Sequence, residues 1–180
     1  MQKRNNNRVR AAAAFSLALL GVGVSALPAT AAPPHENPNA GTLVFDPGVL
    51  CDFGVQLVVT GKEKVNGPAL GNHTVISPNL KFTATALDGD GNPVGASVKY
   101  VATGTVFFTR TERPGQDDYF EVKATGNNLL FVPNDPGDST LFDPVFVTGN
   151  VNYAVSLDTN TEVRKFSGAA RQVNICDSLG

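Results

Sequence analysis

Apolar and polar side chains alternate along most of this chain, and that period of two limits its fold more than any other feature. Phe53, Val55, Leu57 and Val59 share one face, and Cys51 is in phase with them. Leu80, Phe82, Ala84 and Ala86 alternate with Lys81, Thr83 and Thr85. The same pattern returns in Val98–Ala102, in Tyr119–Ala124 and in Val151–Leu157, and Val173 and Ile175 flank Asn174. Successive side chains of a strand point to opposite faces, so each run describes a half-buried strand. Helical spacing never persists beyond a turn or two, and Gly and Pro recur too often for long helices. The expected fold is all-β, a single antiparallel β-barrel or β-sandwich of about eight to ten strands.

Turn chemistry separates the runs. Asp88-Gly89-Asp90-Gly91-Asn92-Pro93 joins two of them as a hairpin, and Asn134–Asp138 and Asp158–Asn160 form two further turn clusters. These residues close local turns with their side chains or tolerate a positive φ. Thr60-Gly61, Thr103-Gly104, Thr125-Gly126 and Thr148-Gly149 give a weak rhythm consistent with the hairpin repeat of a meander. Its glycines are expected at bulges or strand ends.

Cys51 and Cys176 are the two cysteines of the chain, and no C-x-x-C or neighbouring His suggests a metal or redox site. A disulfide between them closes almost the whole domain. Loop-entropy reasoning gives a link of that size about 5 kcal/mol. Bridged Cα atoms lie close together, so the first and last strands are expected to be neighbours or to face each other across the core.

The N-terminus explains why the cysteines are expected to be oxidised. Lys3, Arg4, Arg8 and Arg10 precede an apolar or small stretch from Ala11 to Leu27, and Ala29-Thr30-Ala31 follows as a small-x-small cleavage signal. This is the layout of a secretory signal peptide over residues 1–31, cleaved near Ala31. A secreted, extracellular protein meets oxidising conditions. Residues 32–41 are expected to be a flexible lead-in and 42–180 a single β domain with no membrane span in the mature form.

Cleavage leaves ten basic residues against sixteen acidic ones, a net charge of −6. The cations are scattered, and binding to nucleic acid requires a basic face, so nucleic acid is not expected as a partner. Chemistry-bearing groups are sparse. His73 stands beside Asn72 and Thr74 and is expected to be an exposed loop residue; His35 lies in the lead-in, and no G-x-S-x-G nucleophile motif is present. Asp88, Asp90 and Asn92 copy the start of a calcium loop, but Pro93 and Lys99 stand where its Gly and Glu belong. Glu112, Asp117, Asp118 and Glu121 cluster with Arg110 and Arg113 around a Gly-Pro turn, which suggests a solvated loop more than a pair of catalytic carboxylates. In Phe107-Phe108 and Tyr119-Phe120, one ring of each pair must point away from the main core.

An Ala-rich signal, the opening Cys51-Asp52-Phe53, the Thr-Gly punctuation and the late Cys176 together resemble small exported β-rich actinobacterial proteins with two cysteines. That resemblance implies no particular activity. Over Leu80–Tyr100, LKFTATALDGDGNPVGASVKY resembles the hairpin of bacterial immunoglobulin-like adhesin repeats, which implies a strand–turn–strand unit. The function expected from the sequence is a non-catalytic domain binding a small ligand, a surface or a protein outside the cell, with a small secreted hydrolase or a structural envelope component as alternatives. No catalytic, metal or cofactor residues are assigned, and the ligand-binding residues and partner stay open.

Overall fold

The computed structural model describes residues 35–36, 40–114, 117–134 and 138–180. The expected signal peptide, and Asp135 to Gly137 of the second turn cluster, lie outside them. Ten strands form one antiparallel network: β1 (His35–Glu36), β2 (Gly41–Phe45), β3 (Gly54–Asn66), β4 (His73–Leu87), β5 (Pro93–Ala102), β6 (Thr105–Thr111), β7 (Tyr119–Pro133), β8 (Phe142–Ser156), β9 (Glu162–Ser167) and β10 (Ala170–Asn174). One helical turn, α1 (Ile175–Leu179), ends the chain. His35, Glu36 and Gly41 thus belong to strands, although the sequence places them in a flexible lead-in.

Several strands share a neighbour end to end. β1 and β2 both pair with β3, β5 and β6 with β4, and β9 and β10 with β8. The result is a meander of long strands in which each ladder joins strands that are consecutive in sequence or separated by a single strand. The three turns read from the sequence connect β4 to β5, β7 to β8, and β8 to β9.

The sheet does not close into a barrel, which corrects one of the two architectures expected. Among the described residues, β2 pairs with β3, β5 with β4 and β10 with β8, each leaving its other edge unpaired. The reason is a split beside β5. β6 pairs with the first half of β7, but the second half of β7 departs from β5 and crosses the core. Gly104 and Asn128 sit at the fork. Asn128 is buried and its Nδ2 donates to the Thr125 carbonyl at 3.0 Å. A Cβ on Gly104 would lie 2.3 Å from that Nδ2, so this crossing admits only glycine.

Two cores result. The first lies between β2–β5 and the later half of the β7–β8 hairpin, as in a sandwich, and contains Val55, Leu57, Leu80, Phe82, Phe142 and Ile175. The second lines the other face of the β7–β8 hairpin with Val122, Leu130, Val132, Val147 and Val151. The run Leu129-Leu130-Phe131-Val132 therefore buries both of its faces, odd positions in the first core and even ones in the second. Complete burial of a side chain such as Val55 or Val147 contributes about 1.5–3 kcal/mol. Midway along the hairpin Gly126 faces Gly149, both at positive φ. Gly149 has φ +128°, and a Cβ there would stand 2.6 Å from the Ala169 carbonyl oxygen.

Cys51 and Cys176 are bonded, with Cα atoms 5.6 Å apart. They do not join the strands themselves. Cys51 lies in the loop before β3, and Cys176 is in α1, whose Asn174 cap accepts the Cys176 N–H at 2.8 Å. A helical turn ends the alternating Val173–Ile175 pattern because Asn174 is a good N-cap. Among the described residues, no helix is long and apolar enough to cross a membrane. With the disulfide, this is compatible with an extracellular protein.

Candidate ligand-binding cleft

The split leaves an opening between the β5 edge and the β8–β10 pair. Val173 pairs with Phe146, and Arg171 with Thr148, so these four side chains share the inner face of that layer. Toward the core, the face is covered by the β2–β5 layer. At Phe146 the cover ends with Tyr100, whose ring stacks on Phe146 at 4.5 Å between centroids. Beyond it, Thr148 and Arg171 continue the inward-facing rows into solvent. Tyr100, Phe146, Thr148, Arg171 and Val173 line a cleft of about 200 Å³.

The aromatic wall is held from behind. The Tyr100 hydroxyl donates to Ser178 Oγ at 3.2 Å, and Ser178 Oγ donates to the Asn174 carbonyl at 3.0 Å. Both residues sit on or cap the helix that the disulfide tethers, so the phenol is fixed by the C-terminal turn. Arg171 differs from the arginines elsewhere. Arg110 pairs with Asp118, Arg164 with Glu121, and Arg113 donates to the Asp117 carbonyl. Arg171 forms no ion pair or side-chain hydrogen bond among the described residues. Tyr100 belongs to an apolar run visible in the sequence. Arg171 could have been singled out by its phase, which it shares with Val173 on the strand.

The residues with recognisable chemistry lie elsewhere. His73 is not an exposed loop residue. It opens β4 and is buried, with its ring stacked on Phe108 at 4.4 Å and edge-on to Phe120 at 5.4 Å. Register places it in one row with Phe108, Val122 and Tyr153 across four strands. Its Nδ1 lies 2.8 Å from the Gly71 carbonyl, which can accept only from an N–H, so Nδ1 carries the proton. Nε2 is buried with no hydrogen-bond partner among the described residues. Burial pushes the imidazole below its ordinary range, opposed in part by the Gly71 hydrogen bond. Among the described residues, no serine or carboxylate is hydrogen-bonded to this ring.

The carboxylate cluster is engaged with arginines. Arg110 donates from Nε to Asp118 at 3.2 Å and from Nη1 to the Leu70 carbonyl at 3.2 Å, and its backbone N–H donates to Asn72 Oδ1 at 2.8 Å. The Arg110 hydrogen bond holds the Asp118 carboxyl below the usual carboxylate range. The Arg113 guanidinium lies 4.7 Å over the Tyr119 ring. Glu121 is paired with Arg164 at 3.0 Å in solvent. Gly71, Asn72, Arg110 and Glu112 line a larger depression of about 480 Å³, but the Arg110 donors there already serve the chain's own acceptors. Phe108 and Phe120 face inward, and Phe107 is exposed.

At the β4–β5 turn, Asp88 Oδ1 accepts the N–H groups of Asp90 at 2.9 Å and Asn92 at 2.8 Å. These bonds, that from Asn92 first, hold the Asp88 carboxyl low and use it to close the turn. Among the described residues, no group of three or more His, Cys, Asp or Glu is arranged to hold a metal. Set beside known proteins, the chain matches no family model, no curated protein and no solved structure.

Proposed function

We propose that this chain is a secreted, non-catalytic β module that holds a small ligand in the cleft beneath Tyr100. The observation that carries the reading is the unfinished inner face of β8 and β10. A stacked aromatic pair and a cation without a partner among the described residues stand where a sandwich would otherwise bury apolar residues. Small-ligand sites combine such an apolar wall with a few polar groups that fix orientation. Export is supported by the N-terminal sequence pattern and by the single disulfide.

A native mass spectrum of the protein recovered from its host's culture medium tests both parts. The expected species begins near Ala32, lacks two hydrogens through its disulfide, and carries an extra mass that leaves on denaturation. The Tyr100→Ala variant is expected to lose that extra mass. A ligand retained equally by the variant would remove the cleft from consideration, and a protein that stays inside the cell with its N-terminus intact would remove secretion.

A further inference from the structure

We infer that the ligand of this cleft is a flat-ringed organic acid, an aryl carboxylate about the size of benzoate. This rests on the reading of the cleft as a ligand site and names the chemistry it would select. Three features of the site lead there.

The first is charge. Arg171 is the one ionic group lining the cleft, and it has no counter-ion among the described residues. A guanidinium presents a planar fork that matches a carboxylate with two parallel hydrogen bonds. A cationic ligand would meet this group unfavourably, and a neutral one would leave it unused. The Thr148 side chain, opposite Arg171 in register, adds one hydroxyl that both donates and accepts.

The second is the apolar wall. Tyr100, Phe146 and Val173 line the rest of the cleft, and aromatic rings favour offset or edge-to-face contact with another ring. An inorganic anion such as phosphate gains nothing from that wall, and it finds only one arginine where such ions gather several donors. A ligand with a ring at one end and a carboxylate at the other uses both halves of the site.

The third is size. A cavity of about 150 Å³ accepts benzene. The 200 Å³ here leaves room for one ring and a carboxylate.

The test uses the oxidised secreted protein, isotopically labelled and titrated with benzoate, benzamide and benzylamine while amide resonances are followed. Benzoate is expected to shift the amides of Tyr100, Phe146 and Arg171 and to bind roughly tenfold more tightly than benzamide, the effect of one charge-assisted hydrogen-bond pair at a partly exposed site. Benzylamine is expected not to bind there. Arg171→Met keeps an apolar stem over the cleft and removes the fork, so it should bring benzoate down to the level of benzamide. Benzoate and benzamide binding equally to the unaltered protein would overturn the ligand class and leave the cleft standing. Shifts that map to another surface, or no shift from any of the three compounds, would overturn both.

Discussion

The His73 ring lies nearly parallel to that of Phe108, 10° between planes, and closes one end of a row of inward side chains that crosses four strands. Protonating the imidazole would put a charge among these rings and give Nε2 a hydrogen with no acceptor. The folded-state pKa lies below the unfolded value near 6.5, so the unfolded chain binds more protons in that range. Stability from this site is complete above that value and is lost as pH falls through it, by up to about 1.4 kcal/mol per pH unit. Thermal melting at pH 7.5 and pH 5 is expected to show the loss, and His73→Phe is expected to flatten it. A variant with the same slope as the parent protein would place the acid sensitivity elsewhere.

Glu63 acts in the opposite direction. It is buried on β3 beside the register shift between Lys62 and Lys64, and burial alone raises its carboxyl above the ordinary range. Its contribution is present below the unfolded value near 4.5 and is lost as pH rises through the folded one. Glu63→Gln is therefore expected to raise the melting temperature at pH 7 and to change little at pH 4. Equal effects at both pH values would show that ionisation is not the cause.

Gly149→Ala tests the positive-φ glycine pair midway along the long hairpin. The substitution meets both a positive φ and a carbonyl oxygen at 2.6 Å, and the backbone conformation alone costs an L-residue about 1–2 kcal/mol. A loss of about 2 kcal/mol or more in urea unfolding is expected. Gly89→Ala, at an open turn position with nothing within 4 Å of the added carbon, serves as the control and should be nearly neutral.

Cys51→Ser tests the covalent closure. The two cysteines are 125 positions apart, and removal of a native disulfide from a small secreted domain costs about 2–5 kcal/mol. Melting under oxidising conditions is expected to fall accordingly and to become insensitive to reductant. Unchanged melting would mean that the bond adds nothing beyond what the first core already holds.

The strands and their turns were legible because period two is a local signal. Val55, Phe82 and Val122 each lie on the face that their runs indicate. The Thr-Gly rhythm likewise falls at the facing glycines of β7 and β8 and at the fork beside β5. What escaped the sequence depends on contacts between distant segments. His73 follows a polar loop and looks exposed, yet Phe108 and Phe120, more than thirty positions away, cover it. Leu129–Val132 breaks alternation because each face of that segment meets a different core. Barrel closure failed at Gly104 and Asn128, whose close approach no single-segment pattern reports. The phase of Arg171 with Val173 is legible, but only the termination of the layer above it leaves that inward position open to solvent.

The meander also has a consequence for the order of assembly. Each ladder joins strands that are consecutive in sequence or separated by a single strand, so on the proposed export a pairing becomes available as soon as its second strand has emerged. Nothing in the sheet waits for a distant partner. The link between Cys51 and Cys176 is the exception, because it spans 125 positions and needs a residue that follows β10. A chain exported as proposed would zip vectorially and be sealed in a single last step once Cys176 has emerged.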